Sequence, residues 1–421
     1  MEVNRYKYSE MIITDYNFLV PLDYENEDGE KISIFVREIL REEYENKHLP
    51  YLIFFQGGPG YESPRPITDS GWIKRASEEY RVLLLDQRGT GLSTPISGEL
   101  FLGMNDSDIA SYLTFFRADN IVRDAEQIRE NLIEENKWSV LGQSFGGFCA
   151  THYLSFYPDS LDKVFITGGL PPLNAHPDDI YRATYNRVLE KNKLFYATFP
   201  EAKINSRKIA DYLLENKVYL PNGDQLSVDR FQQLGLNLGF SDGMATLNFL
   251  FEKAFINKKL SYSFLKGVLS LQTFDTNPIF TVLHEACYAQ KFSTNWSAYR
   301  ILNEYPEFIP DKNDQLFLTG EMLYPWMLDI YQSLKPFKGA AQILAEKSDW
   351  PMLYSEKTLK KNKIPVAAAV YTHDMYVDRE YSMGIADVIA NINVWETKSL
   401  EHNALRSNGK MVLDSLFTRI K

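Results

Sequence analysis

Gly142-Gln143-Ser144-Phe145-Gly146 sets a serine hydroxyl between two glycines, after the apolar run 138–141 and before the helix-compatible run 148–156. Strand, sharp turn and helix in that order suit a serine nucleophile, because the turn holds the hydroxyl clear of the sheet edge above a helix N-terminus. The turn strains the serine backbone, and side chains in place of the glycines would collide with the strand and helix that meet there. The chemistry implied is acyl transfer. It also needs a base, an orienting acid and donors for an oxyanion.

In this arrangement the acid precedes the base along the chain, and each sits in a loop after a late strand. Six histidines compete. His48 precedes the serine in a charged segment, His152 lies on the helix leaving the turn, and His176 and His284 fall in the middle of the chain. His402 follows the last strand-like run, 392–395, by a few residues and is the expected base. His373 directly follows the run 365–371, where the acid belongs. Asp374 is the expected acid, and Asp378 can instead cap a helix beginning near Arg379. One oxyanion donor is expected from the Phe145 N–H. The loop Gln56-Gly57-Gly58-Pro59-Gly60 is placed to give a second, since Pro59 stiffens it and leaves the Gly58 N–H in place.

The elements that must hold these groups are also legible. Runs 51–55, 81–85, 138–141 and 164–167 are continuously apolar, as strands buried on both faces of a parallel sheet are. Before them, 18–22 and 32–36 read as antiparallel strands joined by a turn at 26–29, the second near a sheet edge. Ile121, Ala125, Ile128 and Leu132 keep helical spacing behind Asp119 or Asn120 as a cap. After Gly168-Gly169-Leu170-Pro171-Pro172 the chain becomes helical and aromatic, with stripes at Tyr181, Tyr185, Val188, Phe195 and Phe199 and at Met244, Leu247, Phe251 and Phe255. Sheet signals return at 365–371, and a last helix is expected over 409–420. The fold class is therefore α/β, a mostly parallel sheet with helices on both faces, interrupted by a large helical cap. The expected division is a first core segment 1–170, a cap 171–362 and a second core segment 363–421.

Composition narrows the function. A hydrophobic share of 44% with 24% charged residues suits a globular chain, and a net charge of −11 argues against nucleic acid as a partner. No apolar run has the length of a membrane span, and residues 1–7 are polar and lack a signal-peptide core. Cys149 and Cys287 sit in apolar surroundings and do not make a disulfide framework, so a reducing cytoplasm is expected. No His-Glu-x-x-His spacing or phosphate-cradling loop is present, so no metal or cofactor is expected.

Gly57-Gly58-Pro59-Gly60, Asp86-Gln87-Arg88-Gly89-Thr90-Gly91-Leu92-Ser93 and Gly142-Gln143-Ser144-Phe145-Gly146-Gly147 together strongly resemble the proline iminopeptidases, α/β-hydrolases that remove an N-terminal residue, preferably proline. Ser241-Asp242-Gly243, His284-Glu285-Ala286-Cys287-Tyr288-Ala289-Gln290 and Gly320-Glu321-Met322-Leu323-Tyr324-Pro325-Trp326 look like the larger-capped branch of that family. The resemblance implies Ser144 as nucleophile, Asp374 as acid, His402 as base, and Gly58 and Phe145 as oxyanion donors. It also implies peptides or aminoacyl amides with a free N-terminus as substrates. Two positions depart from the family pattern. Gln56 stands where many relatives have histidine, and His373 stands where an acidic residue is expected. Arg88 is expected to be scaffold. A free ammonium calls for carboxylates in the cap, and Glu285 and Glu321 are the candidates, with aromatic residues as walls for a proline ring. Two other readings share the fold: an esterase or amidase without an amine requirement, and a catalytically silent ligand-binding protein.

Overall fold

The computed structural model describes residues 2–310 and 315–420; residue 1 of the polar N-terminal stretch, 311–314 within the expected cap, and 421 lie outside the described residues. In chain order the strands are β1 (Glu2–Tyr8), β2 (Met11–Pro21), β3 (Lys31–Arg41), β4 (Tyr51–Phe55), β5 (Arg81–Leu85), β6 (Trp138–Gln143) and β7 (Leu161–Thr167). A small hairpin, β8 (Phe255–Ile256) and β9 (Lys259–Leu260), precedes β10 (Val366–Tyr371) and β11 (Ile392–Thr397). All but the hairpin form one sheet in the order β1-β2-β3-β5-β4-β6-β7-β10-β11. From β5 to β11 neighbours run parallel, while β1, β2 and β3 are antiparallel. The chain fills one side of β4 with β5 and then crosses to β6 on the other side. The strand order reverses there, and crevices for ligands open at the carboxyl ends of such strands.

Strand periodicity divides the core. Ile53, Phe55, Leu83 and Leu85 face one layer of helices, and Leu52, Phe54, Val82 and Leu84 face the other. On the first face the helix Ala118–Ile133 brings Ile121, Val122, Ala125 and Ile128, and the helix Phe145–Phe156 brings Phe148 and Cys149. The second face is covered by Trp72 and Ile73 from Gly71–Ser77, and by Val412, Leu413 and Leu416 from Gly409–Phe417. The chain leaves the sheet after Thr167 and rejoins it beside β7 at Val366. The intervening helices share their hydrophobic core with the first face, since Tyr185, Phe231 and Phe251 belong to the same cluster as Ile53.

Several expectations needed correction. The strands expected at 18–22 and 32–36 are the ends or middles of eleven-residue strands, and β1 was not foreseen. β3 is third from the edge and not near it. Charged residues hid the pattern because their partners lie across the sheet. Arg37 grips Asp15 through Nε and Nη2 at 2.7 and 3.1 Å, and Glu38 takes Arg81 and Tyr16. The helix Ala118–Ile133 begins after Arg117, with no side-chain cap; Asp119 lies in its first turn. The second cap stripe ends its helix at Glu252, which leaves Phe255 to β8, and the last helix stops at Phe417. Arg88 is fully buried and forms a fork with Asp124 at 2.8 and 2.6 Å, while its remaining donors reach the carbonyls of Pro21, Leu22 and Phe115. It thus ties the β2 end to the helix beneath it. Removing one partner of such a pair strands a buried charge, which typically costs about 3–5 kcal/mol.

Candidate active site

Ser144 sits at the junction of β6 and the helix Phe145–Phe156, with φ 54° and ψ −125°. A non-glycine residue in that region costs about 1–3 kcal/mol, and it persists only where its surroundings over-determine it. Here they do. The Ser144 N–H bonds the Thr167 carbonyl at 3.1 Å, and its own carbonyl accepts from Gly147 at 2.7 Å. A Cβ at Gly146 would collide with the Phe55 carbonyl oxygen, which explains why this helix opens on two poor helix formers. The helix starts at Phe145, three residues before the apolar run that suggested it.

His402 joins the serine from the loop after β11. Its Nε2 lies 2.9 Å from Ser144 Oγ and its Nδ1 lies 2.7 Å from Asp374 Oδ2. The network assigns the neutral tautomer: Nδ1–H donates to the carboxylate and Nε2 accepts from the hydroxyl. Asp374 Oδ1 in turn accepts the N–H groups of Tyr376 and Val377 at 2.8 and 3.1 Å, so the loop after β10 fixes the acid without a second side chain. The Tyr376 ring packs 4.5 Å from the imidazole. Burial, the largest influence, pushes the His402 pKa down; the charge and hydrogen bond of Asp374 prevail, with Glu321 and Glu401 adding to them, and leave it above its ordinary value.

The alternatives fall elsewhere. Asp378 caps the helix Arg379–Ala386 through the Glu380 N–H and pairs with Arg187 at 3.1 Å. His373 is exposed, and His152 is buried against the Leu353 carbonyl at 2.7 Å. Gly58 lines the cavity above Ser144 with φ +134°. Phe145 heads its helix, where the N–H has no intrahelical carbonyl to meet. Gly57 packs so close to Ser144 and Gln143 that a side chain there would displace the serine.

The cavity holds about 410 Å³ and is bounded by Ser144, His402, Gly58, Tyr61, Phe280 and Glu321 among others. Glu321 is the one carboxylate among the described residues lining it. Burial pushes its pKa up to about 8, with His402 lowering and Asp374 raising it. Glu285, expected beside it, is turned away. Its oxygens accept the N–H groups of Ser297 and Ala298 at 3.0 and 2.9 Å, at the start of the helix Ser297–Leu302. Both oxygens are thus taken by backbone, and burial holds its pKa near 7. The sequence offered Glu285 as a carboxylate for the substrate ammonium; in the structure it sits at a helix N-terminus, whose N–H groups satisfy it.

Sequence reasoning missed several neighbours. His284 was considered only as a base; it lies buried with Nε2 3.7 Å from Glu321 Oε2, and burial lowers its pKa to about 4 against an opposing backbone contact from Gly58. Lys191 of the helix Pro177–Thr198 pairs with Glu401 at 2.5 Å, and Asn403 accepts the Ser241 N–H at 3.0 Å. Through them one helix and one loop of the segment between β7 and β10 hold the residues on either side of His402. Arg406 also lines the cavity, and its place four residues after His402 in the chain was the available signal. Among the described residues no group of three or more His, Cys, Asp or Glu is arranged to hold a metal ion, and no helix is long and apolar enough to cross a membrane.

The alpha/beta hydrolase fold family model matches residues 50–250. The chain is 48% identical over 400 residues to a proline iminopeptidase of Aeromonas sobria, covering 95% of this chain and 94% of that one. It is 34% identical over 417 residues to the proline iminopeptidase aneH of Aspergillus aculeatus, covering 96% and 92%.

Proposed function

The chain belongs to the proline iminopeptidase family of α/β-hydrolases and releases N-terminal proline from peptides, and on that premise we propose how its residues do so. Ser144 Oγ attacks the carbonyl carbon of the N-terminal residue while His402 Nε2 takes its proton. The oxyanion that forms accepts the N–H groups of Gly58 and Phe145, each such donor being worth roughly 3 kcal/mol of barrier. Collapse breaks the C–N bond, and the imidazolium returns its proton to the leaving nitrogen. A water, deprotonated by the same imidazole, then hydrolyses the prolyl ester and frees the amino acid. Asp374 holds the tautomer that starts the cycle and stabilises the imidazolium.

The observation that carries this reading is Glu321, the one carboxylate among the described residues lining the cavity that holds the Ser144–His402 pair. An ester site has no use for a half-buried carboxylate, whereas a substrate ammonium repays its desolvation. We assign the amine to Glu321 and give Glu285 the task of holding the helix Ser297–Leu302 in place. Residues 171–362 serve as the cap that confers specificity on the core segments 1–170 and 363–421. Cys149 and Cys287 are buried and free, which supports action in a reducing compartment such as the cytoplasm. Measuring free amino acid released from a panel of aminoacyl anilides tests the whole reading. Proline should dominate, and a panel without preference would sink it.

A pH profile isolates Glu321. The carboxylate must be ionised to hold an ammonium, and its free-enzyme pKa is near 8. For a free-amine substrate kcat/KM should therefore climb as pH rises toward 8, until the substrate ammonium itself begins to lose its proton. A neutral acetate ester should show only the His402 limb. Glu321→Gln should abolish the later limb and lower kcat/KM for the amine substrate about ten- to a hundredfold, with little effect on the ester. Parallel losses on both substrates would make Glu321 structural.

A further inference from the structure

The cavity carries a titratable acid and a permanent cation. Among the described residues lining it, Glu321 supplies the one carboxylate and Arg406 the one permanent cation. Arg406 belongs to the short helix Ala404–Ser407, which begins two residues after His402. Its side chain is exposed, and no carboxylate among the described residues pairs with it. The guanidinium lies instead over the Phe240 ring, 5.4 Å from the centroid, and Phe240 also lines the cavity. Arg37, Arg65, Arg75, Arg81 and Arg88, by contrast, each pair with a carboxylate. A planar fork of five donors, stacked on an aromatic face and unpaired, suits one kind of ligand above others: a carboxylate approached edge-on.

Direction follows from proton delivery. The leaving nitrogen must come within reach of His402 Nε2, so the peptide beyond the scissile bond departs on the His402 side of Ser144. Asn403, Leu405 and Arg406 follow His402 directly in the chain and line the same cavity. Resting on the aminopeptidase reading, we propose that Arg406 is a subsite for the C-terminal carboxylate of a short peptide. The cavity then reads its substrate at both ends, the ammonium at Glu321 and the carboxylate at Arg406, and this favours di- or tripeptides with a free C-terminus. Stacking on Phe240 lowers the entropy lost when the fork engages. Exposure to solvent screens the pair, so the preference is modest and weakens with salt.

The test compares Pro-Gly and Pro-Gly-Gly with their C-terminal amides. For the wild-type enzyme, the acid-to-amide ratio of kcat/KM should reach about five- to twentyfold at one of the two lengths, expressed in KM. Arg406→Gln, and Arg406→Met, which keeps the aliphatic stem over Phe240, should both bring that ratio close to one. Raising the ionic strength should shrink the wild-type ratio in the same direction. A wild-type ratio near one at both lengths would overturn the proposal. So would variants that keep the wild-type ratio, including by losing activity equally on acids and amides. Prolyl anilide, which has no carboxylate, is run with the wild type alongside; failure to cleave it would strike the aminopeptidase reading and not the subsite.

Discussion

Ser144→Ala should lower kcat on a prolyl anilide by about 10⁶-fold and leave the protein folded. The hydroxyl bonds His402 Nε2, and the backbone bonds that hold the turn, from Ser144 N to Thr167 O and from Gly147 N to Ser144 O, do not involve it. Alanine keeps the Cβ that already fits beside Gly57, so the packing that forces φ to 54° is unchanged. The remaining hydrolysis would come from the oxyanion donors and binding alone, which still exceed water by about 10³–10⁴ in comparable hydrolases. Activity and thermal unfolding are measured on the same preparation. A folded variant with near-wild-type turnover would remove Ser144 as the nucleophile, and an unfolded one would show that the hydroxyl supports the turn.

His402→Ala should be of similar severity, about 10⁶-fold in kcat, because serine and base act as one unit, whereas His373→Ala should leave kcat within about twofold, as surface changes away from a site do. The two histidines follow adjacent parallel strands, β10 and β11, and sequence position alone made both plausible neighbours of the serine. Their surroundings separate them. His402 is buried between Ser144 and Asp374 with Tyr376 against its ring, while His373 points to solvent. Steady-state kinetics on the two variants decides the matter, and the reverse order of effects would reassign the base.

The parts of the site that could be read from sequence are those where backbone geometry forces residue type. The elbow needs glycine at 142 and 146 because carbonyls approach there, and β4, β5 and β6 need unbroken apolar runs because helices cover both faces. The acid and base follow from chain order once those strands are placed. What escaped notice depends on partners distant in sequence. Charges inside β2 and β3 looked incompatible with long strands until Asp15 met Arg37 and Glu38 met Arg81. Glu285 and Glu321 looked alike in sequence, and the N-terminus of Ser297–Leu302, brought up by folding, tells them apart. The segment between β7 and β10 is rich in short 3-10 turns such as Gln233–Gly239, which carry no sustained period to detect.

The central claim is that this site acts on a peptide through its free N-terminal amine. Its most direct test is the ratio of kcat/KM for prolyl anilide to that for N-acetylprolyl anilide, measured near pH 8. Acetylation removes the ammonium and leaves Glu321 without a partner, so the free amine should be favoured by about 10³-fold or more, as sites built around a buried polar contact discriminate. A ratio near one would contradict the claim and make this an amidase or esterase that happens to carry a carboxylate in its cavity.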